Sequence, residues 1–296
     1  MEKGFINGFD GTTVYRYLWD DVENPKGVVQ IFHGMAEHAG RYEDFALFLN
    51  KHGYIVFADD HRAHGYTAGN DLAKYFGYNV VEDTINDELY FSKLLKEKYN
   101  LPLYVFGHSY GSFICQAYIQ RSNYHEKAIL CGSSYMHHRI DIWAGRHIAR
   151  ITIRHKGYNH PAKMIEKASF GQYDKQVKEG SWLNSNKDEV QKYYKDEFNG
   201  KTLCAGFYLD FFNLFKTIYK KKNLALINKD IPLLLIAGQN DPVGSMGKGM
   251  KKLEAMYKKL DIKDLSLILY EGCRHEILNE TIHEKVYDDI LKFLEK

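Results

Sequence analysis

Neither sign of charge dominates this chain: 40 lysines and arginines against 38 aspartates and glutamates leave a formal net charge of +2 over 296 residues. Nucleic-acid partners call for a strongly basic face, so the balance gives no electrostatic support for one. Cysteine is scarce. The four present, Cys115, Cys131, Cys204 and Cys273, form no close-spaced pairs of metal-ligand type and are too scattered for a disulfide framework. Cys115 and Cys131 lie among apolar residues and read as small buried hydrophobes. No run of about 18 apolar residues exists, and Met1-Glu2-Lys3-Gly4-Phe5 lacks the apolar core of a secretory signal. The expected compartment is a reducing cytoplasm. Repeats, low-complexity tracts and flexible linkers are missing as well.

What is present describes an ordinary globular protein, 45% hydrophobic and 26% charged. The length allows one large core with room for an inserted segment. Lys220-Lys221-Lys222, Lys251-Lys252 and Lys258-Lys259 read as solvated helix faces. Short apolar strands alternate with amphipathic helices, the pattern of a mostly parallel sheet covered on both faces. Strands are expected at Val14–Trp19 (an edge), Val28–Phe32, Tyr54–Ala58, Leu103–Phe106, Ala128–Cys131, Pro232–Ala237 and Leu265–Tyr270. Helices are expected at Arg41–His52, Val81–Tyr99, Ser112–Arg121 and Ile282–Leu294. Between Ser134 and Phe211 the alternation lapses. That stretch is too long for a bare loop and reads as a helical cap, residues 134–211, inserted into a core of residues 1–133 and 212–296.

The feature with chemical content is Gly107-His108-Ser109-Tyr110-Gly111, set between a buried strand and a helix. There the pattern predicts a nucleophile elbow, a sharp turn that exposes the serine Oγ above the sheet. Side chains two residues either way would collide with the crossing strand and helix, hence the glycines. A serine hydroxyl needs a base to take its proton, and the base needs an acid to fix its tautomer. Asp241, in the turn Gly238-Gln239-Asn240-Asp241-Pro242, and His275, in Glu271-Gly272-Cys273-Arg274-His275-Glu276, each follow a later strand. Order and position therefore predict a Ser109, Asp241, His275 triad, with Asp210 as the rival acid. The developing oxyanion needs preorganised donors. The backbone N–H groups of Tyr110 and of Met35, in the loop after Val28–Phe32, are the candidates.

His33-Gly34-Met35-Ala36-Glu37-His38-Ala39-Gly40-Arg41-Tyr42 resembles the His-Gly-x-x-Glu-His-x-x-Arg-Tyr signature of monoacylglycerol lipases and related lysophospholipases of the α/β-hydrolase superfamily. Asp60-His61-Arg62-Ala63-His64-Gly65, Asn240-Asp241-Pro242-Val243 and His275-Glu276-Ile277-Leu278-Asn279-Glu280 are similar to further motifs of that family, in family order. The resemblance implies an α/β-hydrolase fold with a lid over an acyl pocket, the same triad and oxyanion donors, and no metal or cofactor. Two departures stand out. Tyr110 replaces a methionine and is expected to narrow or polarise the pocket mouth, and Ala63 replaces a glycine. Glu37, Arg62 and His64 are expected to hold loops around the site.

Within the cap, Ile140, Ile142, Trp143, Ile148, Ile151 and Ile153 interleave with Arg146, Arg150 and Arg154. The pattern suits a helix packed on the body with its arginines in water; transient contact with a membrane surface is the alternative. Trp182, Phe207, Tyr208, Phe211 and Phe212 are candidates to line an apolar tunnel or simply to fill the core. The expected function is hydrolysis of a small ester or lipid by a serine esterase that forms an acyl-enzyme, with monoacylglycerol-like esters as leading substrates. Lysophospholipid, short acyl ester, thioester or peptide substrates, and a non-catalytic binding protein on the same scaffold, are the alternatives.

Overall fold

Burial explains why the central strands read as unbroken apolar runs. In Gly27–Phe32 (β3), Tyr54–Asp59 (β4), Leu103–His108 (β5) and Leu233–Gly238 (β7) every residue is buried, and a strand covered on both faces has no polar side. With Glu2–Asn7 (β1), Thr13–Trp19 (β2), Lys127–Cys131 (β6) and Leu265–Tyr270 (β8) they form one sheet in the order β1-β2-β4-β3-β5-β6-β7-β8. β2 runs antiparallel to β1 and β4, and every pair from β4 to β8 is parallel. This computed structural model describes residues 1–69, 79–137 and 139–296.

One strand expectation is corrected. Val14–Trp19 is not an edge: Val14 pairs with Ile6 on one side and Arg16 with Asp59 on the other. The edge is β1, where Phe5 and Ile6 are the only large apolar residues after Met1 and leave no run to read.

Successive residues of β5 feed opposite faces of the sheet, Val105 one and Tyr104 and Phe106 the other. Helices Val80–Tyr99, Tyr110–Tyr118 and Lys248–Lys259 cover the Val105 face through Ile85, Phe113, Ile114 and Leu253. Helices Glu43–Lys51 and His283–Glu295 cover the other through Phe45, Leu49, Val286 and Ile290. Asn79 starts the helix Val80–Tyr99 by accepting the Glu82 N–H, and left-handed Asn100 (φ +51°) ends it.

Between β6 and β7 the chain is helical, with Ile140–Lys156, Lys163–Ala168, Lys187–Lys195 and Ala205–Ile218 the main elements. The last of these crosses the expected 211/212 boundary unbroken. It packs on Ile140–Lys156 and on Val80–Tyr99, tying the segment between β6 and β7 to a helix that covers the sheet. Among the described residues no helix is long and apolar enough to cross a membrane.

Candidate active site

The elbow forms because β5 must stop and a helix start within one residue. Ser109 makes that turn at φ +51° and ψ −116°, a strained backbone for a residue with a Cβ, costing about 1–3 kcal/mol. The turn is over-determined by its bonds: Ser109 N–H donates to Cys131 O at 2.9 Å, and the Ser112 N–H and Oγ donate to Ser109 O at 2.9 and 2.6 Å. The glycine requirement is steric. A Cβ on Gly111 would lie 2.0 Å from Phe32 O, and one on Gly107 would lie 2.5 Å from Gly111 O.

The structure brings Ser109, Asp241 and His275 together from the ends of β5, β7 and β8. His275 Nε2 stands 2.8 Å from Ser109 Oγ, and its Nδ1 2.9 Å from Asp241 Oδ2. Asp241 is fully buried, and its other oxygen accepts the Val243 N–H at 2.8 Å. A buried carboxylate facing Nδ1 fixes the proton there, leaving Nε2 to accept from the serine. Burial alone would lower the imidazole pKa, but the charge and hydrogen bond of Asp241 outweigh it and shift it above its ordinary 6.5. The acid turn and histidine loop lie back to back: a Cβ on Gly238 would meet Arg274 O at 2.0 Å, and Asn240 N–H bonds Cys273 O at 2.9 Å. Asp210, the rival acid, lies elsewhere and accepts the Val80 N–H at 3.1 Å.

Met35, Tyr110 and Ser109 line one cavity, so the two candidate oxyanion donors border the serine. The loop carrying Met35 is held by neighbours. His33 Nδ1 donates to Gly34 O (2.7 Å) and Nε2 accepts from His61 N–H (2.9 Å), a neutral tautomer that burial enforces by driving its pKa well below 6.5. Glu37 Oε1 accepts from Gly34 N–H at 2.6 Å and from the Tyr42 hydroxyl at 2.9 Å. Arg41 donates both to Glu37 Oε2 and, bidentately at 2.7 and 2.9 Å, to Glu276, the residue after His275. One guanidinium thus ties the Met35 loop to the histidine loop. Charges 235 residues apart leave no local pattern in the sequence, and the pairing was not legible there.

The other expected loop-holding residues form a network of their own. Arg62 engages Asp87 (2.7 Å) and Asp10 (2.8 Å), and His64 Nδ1 faces Arg62 O at 3.0 Å. The side chain of Tyr110 is buried, stacked on His64 and packed against Phe207 and Phe211. Ala63 sits at φ +68°, which accounts for the glycine of the family motif.

Two cavities flank Ser109. The larger, about 340 Å³, is walled mainly by apolar groups including Phe113, Ile142, Tyr208, Phe211 and Phe212. The smaller, about 110 Å³, lies on the His275 side beneath Trp182 and is bordered by Glu37, Glu166, Glu276 and Lys201. Of the five aromatic candidates, Tyr208, Phe211 and Phe212 line the larger cavity, Trp182 the smaller, and Phe207 lies behind Tyr110. The Trp182 ring is 5.1 Å from the His275 imidazole, a contact without sequence signal because its segment has no regular structure.

Asp59, His61 and Glu88 have atoms close enough together to surround a cation. His61 Nδ1 faces Asp59 Oδ2 at 3.3 Å and Glu88 Oε1 at 3.2 Å. Burial and the neighbouring Asp59 raise the Glu88 pKa well above the usual carboxylate value. The trio therefore reads as a buried polar network.

A family model described as serine aminopeptidase, S33, matches residues 23–282. The chain is 26% identical to a human monoglyceride lipase over 93% of its own length and 86% of that protein's. It is 27% identical to a monoacylglycerol lipase of Mycolicibacterium smegmatis, covering 97% of this chain and 94% of the relative. A thermostable carboxyl esterase from Bacillus coagulans, solved with glycerol, superimposes with a TM-score of 0.90 at 27% identity, over 99% of this chain and 97% of that one.

Proposed function

Because the chain belongs to the family described as serine aminopeptidase S33, and is a serine hydrolase of the monoacylglycerol lipase-like α/β-hydrolases that acts on esters or lipids, we propose that it cleaves monoacylglycerol-like esters through an acyl-enzyme. The observation carrying this reading is the Ser109–His275–Asp241 chain of contacts, at 2.8 and 2.9 Å, opening into an apolar cavity of about 340 Å³.

In this reading Ser109 Oγ attacks the ester carbonyl carbon while His275 Nε2 takes the hydroxyl proton. The carbonyl oxygen becomes an oxyanion held by the N–H groups of Met35 and Tyr110. Collapse breaks the bond to the alcohol oxygen, which receives the proton from His275. Water then repeats the sequence on the acyl-serine and releases the acid. The acyl chain occupies the larger cavity and the alcohol the smaller. Around the smaller cavity Glu37, Glu166 and Glu276 are answered by Lys201 and by Arg41, which bridges Glu37 and Glu276; the one carboxylate left in excess favours a neutral glycerol over the anionic head group of a lysophospholipid.

The test is monoacylglycerol hydrolysis by wild type and Ser109→Ala, with fluorophosphonate labelling and peptide mapping. Turnover should fall by about 10⁶ in the variant, and the label should map to Ser109. The base must be unprotonated, so kcat/KM should fall with decreasing pH through a midpoint above the ordinary histidine value of 6.5. Retained turnover in Ser109→Ala would overturn the assignment. Absence of labelling in the folded wild type would instead favour the non-catalytic scaffold.

A further inference from the structure

A second apolar groove, of about 240 Å³, lies outside the catalytic cavity, against helices Ile140–Lys156 and Ala205–Ile218. Its apolar walls are Met136, Ile142, Trp143, Phe212 and Phe215, and its charged border is Arg139, Arg146 and Lys216. No carboxylate lines it among the described residues. Asp141 already neutralises Arg139 through a bidentate pair at 3.0 and 2.6 Å. Arg146 instead donates to a neutral partner, Asn213 Oδ1, at 2.7 Å. Burial and the nearby Arg150 lower its pKa, so its charge is held without compensation. Lys216 is exposed on the same border.

We propose that this groove binds a free fatty acid, its carboxylate between Arg146 and Lys216 and its tail over Trp143 and Phe212. The inference rests on the proposed function for the source of the ligand, since fatty acid is the acid product of that reaction. A hydrophilic anion would waste the apolar wall, and a neutral hydrocarbon would leave the cations unanswered. Only an amphipathic anion satisfies both.

Size and continuity sharpen the assignment. A cavity of about 150 Å³ accommodates benzene, so about 240 Å³ holds roughly ten carbons on that scale. Met136, Ile142, Phe212 and Phe215 also wall the Ser109 cavity, leaving one layer of side chains between the two spaces. A tail much longer than ten carbons must press through that layer toward the acyl site. Inhibition by the product should therefore strengthen with chain length beyond that point. Phe212, one member of that layer, packs closely on Gly145: a Cβ there would lie 2.7 Å from the Phe212 ring.

The experiment is titration of Ser109→Ala protein with dodecanoate below its micellar concentration, read by calorimetry and tryptophan fluorescence. Dodecanoate should bind, and Trp143→Phe should lose most of the fluorescence response. Arg146→Glu and Lys216→Glu should each weaken binding about tenfold, as should replacing dodecanoate by dodecanol or dodecyltrimethylammonium. Arg146 and Lys216 do not line the Ser109 cavity, so in otherwise wild-type protein these variants should keep their hydrolysis of a short ester, which verifies folding. Equal dodecanoate affinity in wild-type and charge-reversed groove overturns the site. So does binding of anionic phosphatidylglycerol vesicles without binding of dodecanoate, which would make the face a membrane surface. Dodecanoate binding by a protein that hydrolyses no ester would refute the proposed function and leave the site standing.

Discussion

The carboxyl rim of the sheet and the helical segment between β6 and β7 face each other across Ser109, yet they are built on opposite terms. At the rim, polar groups are buried and bonded, and the main chains of adjoining loops touch: Gly111 against Phe32 O, Gly238 against Arg274 O. In the helix Ile140–Lys156 the buried residues are only Gly145 and Ala149. Ile140 is 82% exposed there, Trp143 62% and Ile151 61%. The segment is nevertheless anchored near its middle, where Arg274 donates to the carbonyls of Glu179, Ser181 and Asn184, and Glu276 N–H to Leu183 O. Chemistry demands atoms fixed to tenths of an ångström, whereas acyl chains vary in length and shape. The molecule separates these demands in space.

The contrast can be broken most severely at Gly111. Gly111→Ala drives a methyl into the carbonyls of Phe32 and His33, where no flexible side chain can yield. Loss of more than about 4 kcal/mol is expected, read by denaturant unfolding or as failure to accumulate folded protein. A variant within about 1 kcal/mol of wild type would show the rim to be softer than described.

Arg41→Met comes next. It strands Glu37 and Glu276 beside the site, and removing one partner of a buried ion pair costs about 3–5 kcal/mol. Arg41 outweighs burial to hold the Glu37 pKa well below its ordinary value of 4.5. The pair's contribution is thus present above that pH and lost as pH falls through the lowered value, so the deficit of the variant should shrink in acid. A deficit independent of pH would exclude the ionic account. The smallest effect belongs to the exposed helix face. Ile151→Ser should change stability by no more than about 0.5 kcal/mol, and a larger loss in thermal unfolding would mean that this face is covered in solution.

The same division governs what the sequence discloses. Strands β3 to β7 were legible because burial on both faces leaves runs such as Val28–Phe32 and Leu233–Ala237. β1 was not, since an edge strand needs few apolar residues and Glu2–Asn7 has two large ones. Ser109, Asp241 and His275 could be picked out because each follows a strand, which fixes its place on the rim whatever the loops do. The Arg41–Glu276 bridge could not, because ion pairing carries no periodicity. Neither could the division of labour among Phe207, Phe211 and Phe212, which depends on how the helix Ala205–Ile218 is turned against Tyr110.

Arg41 and Glu37 belong to the first sixth of the polypeptide and Glu276 to its last tenth. During synthesis the arginine meets its second carboxylate only when the C-terminal residues have emerged and docked. An incomplete chain therefore carries Ser109 without its His275 contact and without the Arg41–Glu276 bridge. Esterolysis becomes a readout of finished assembly.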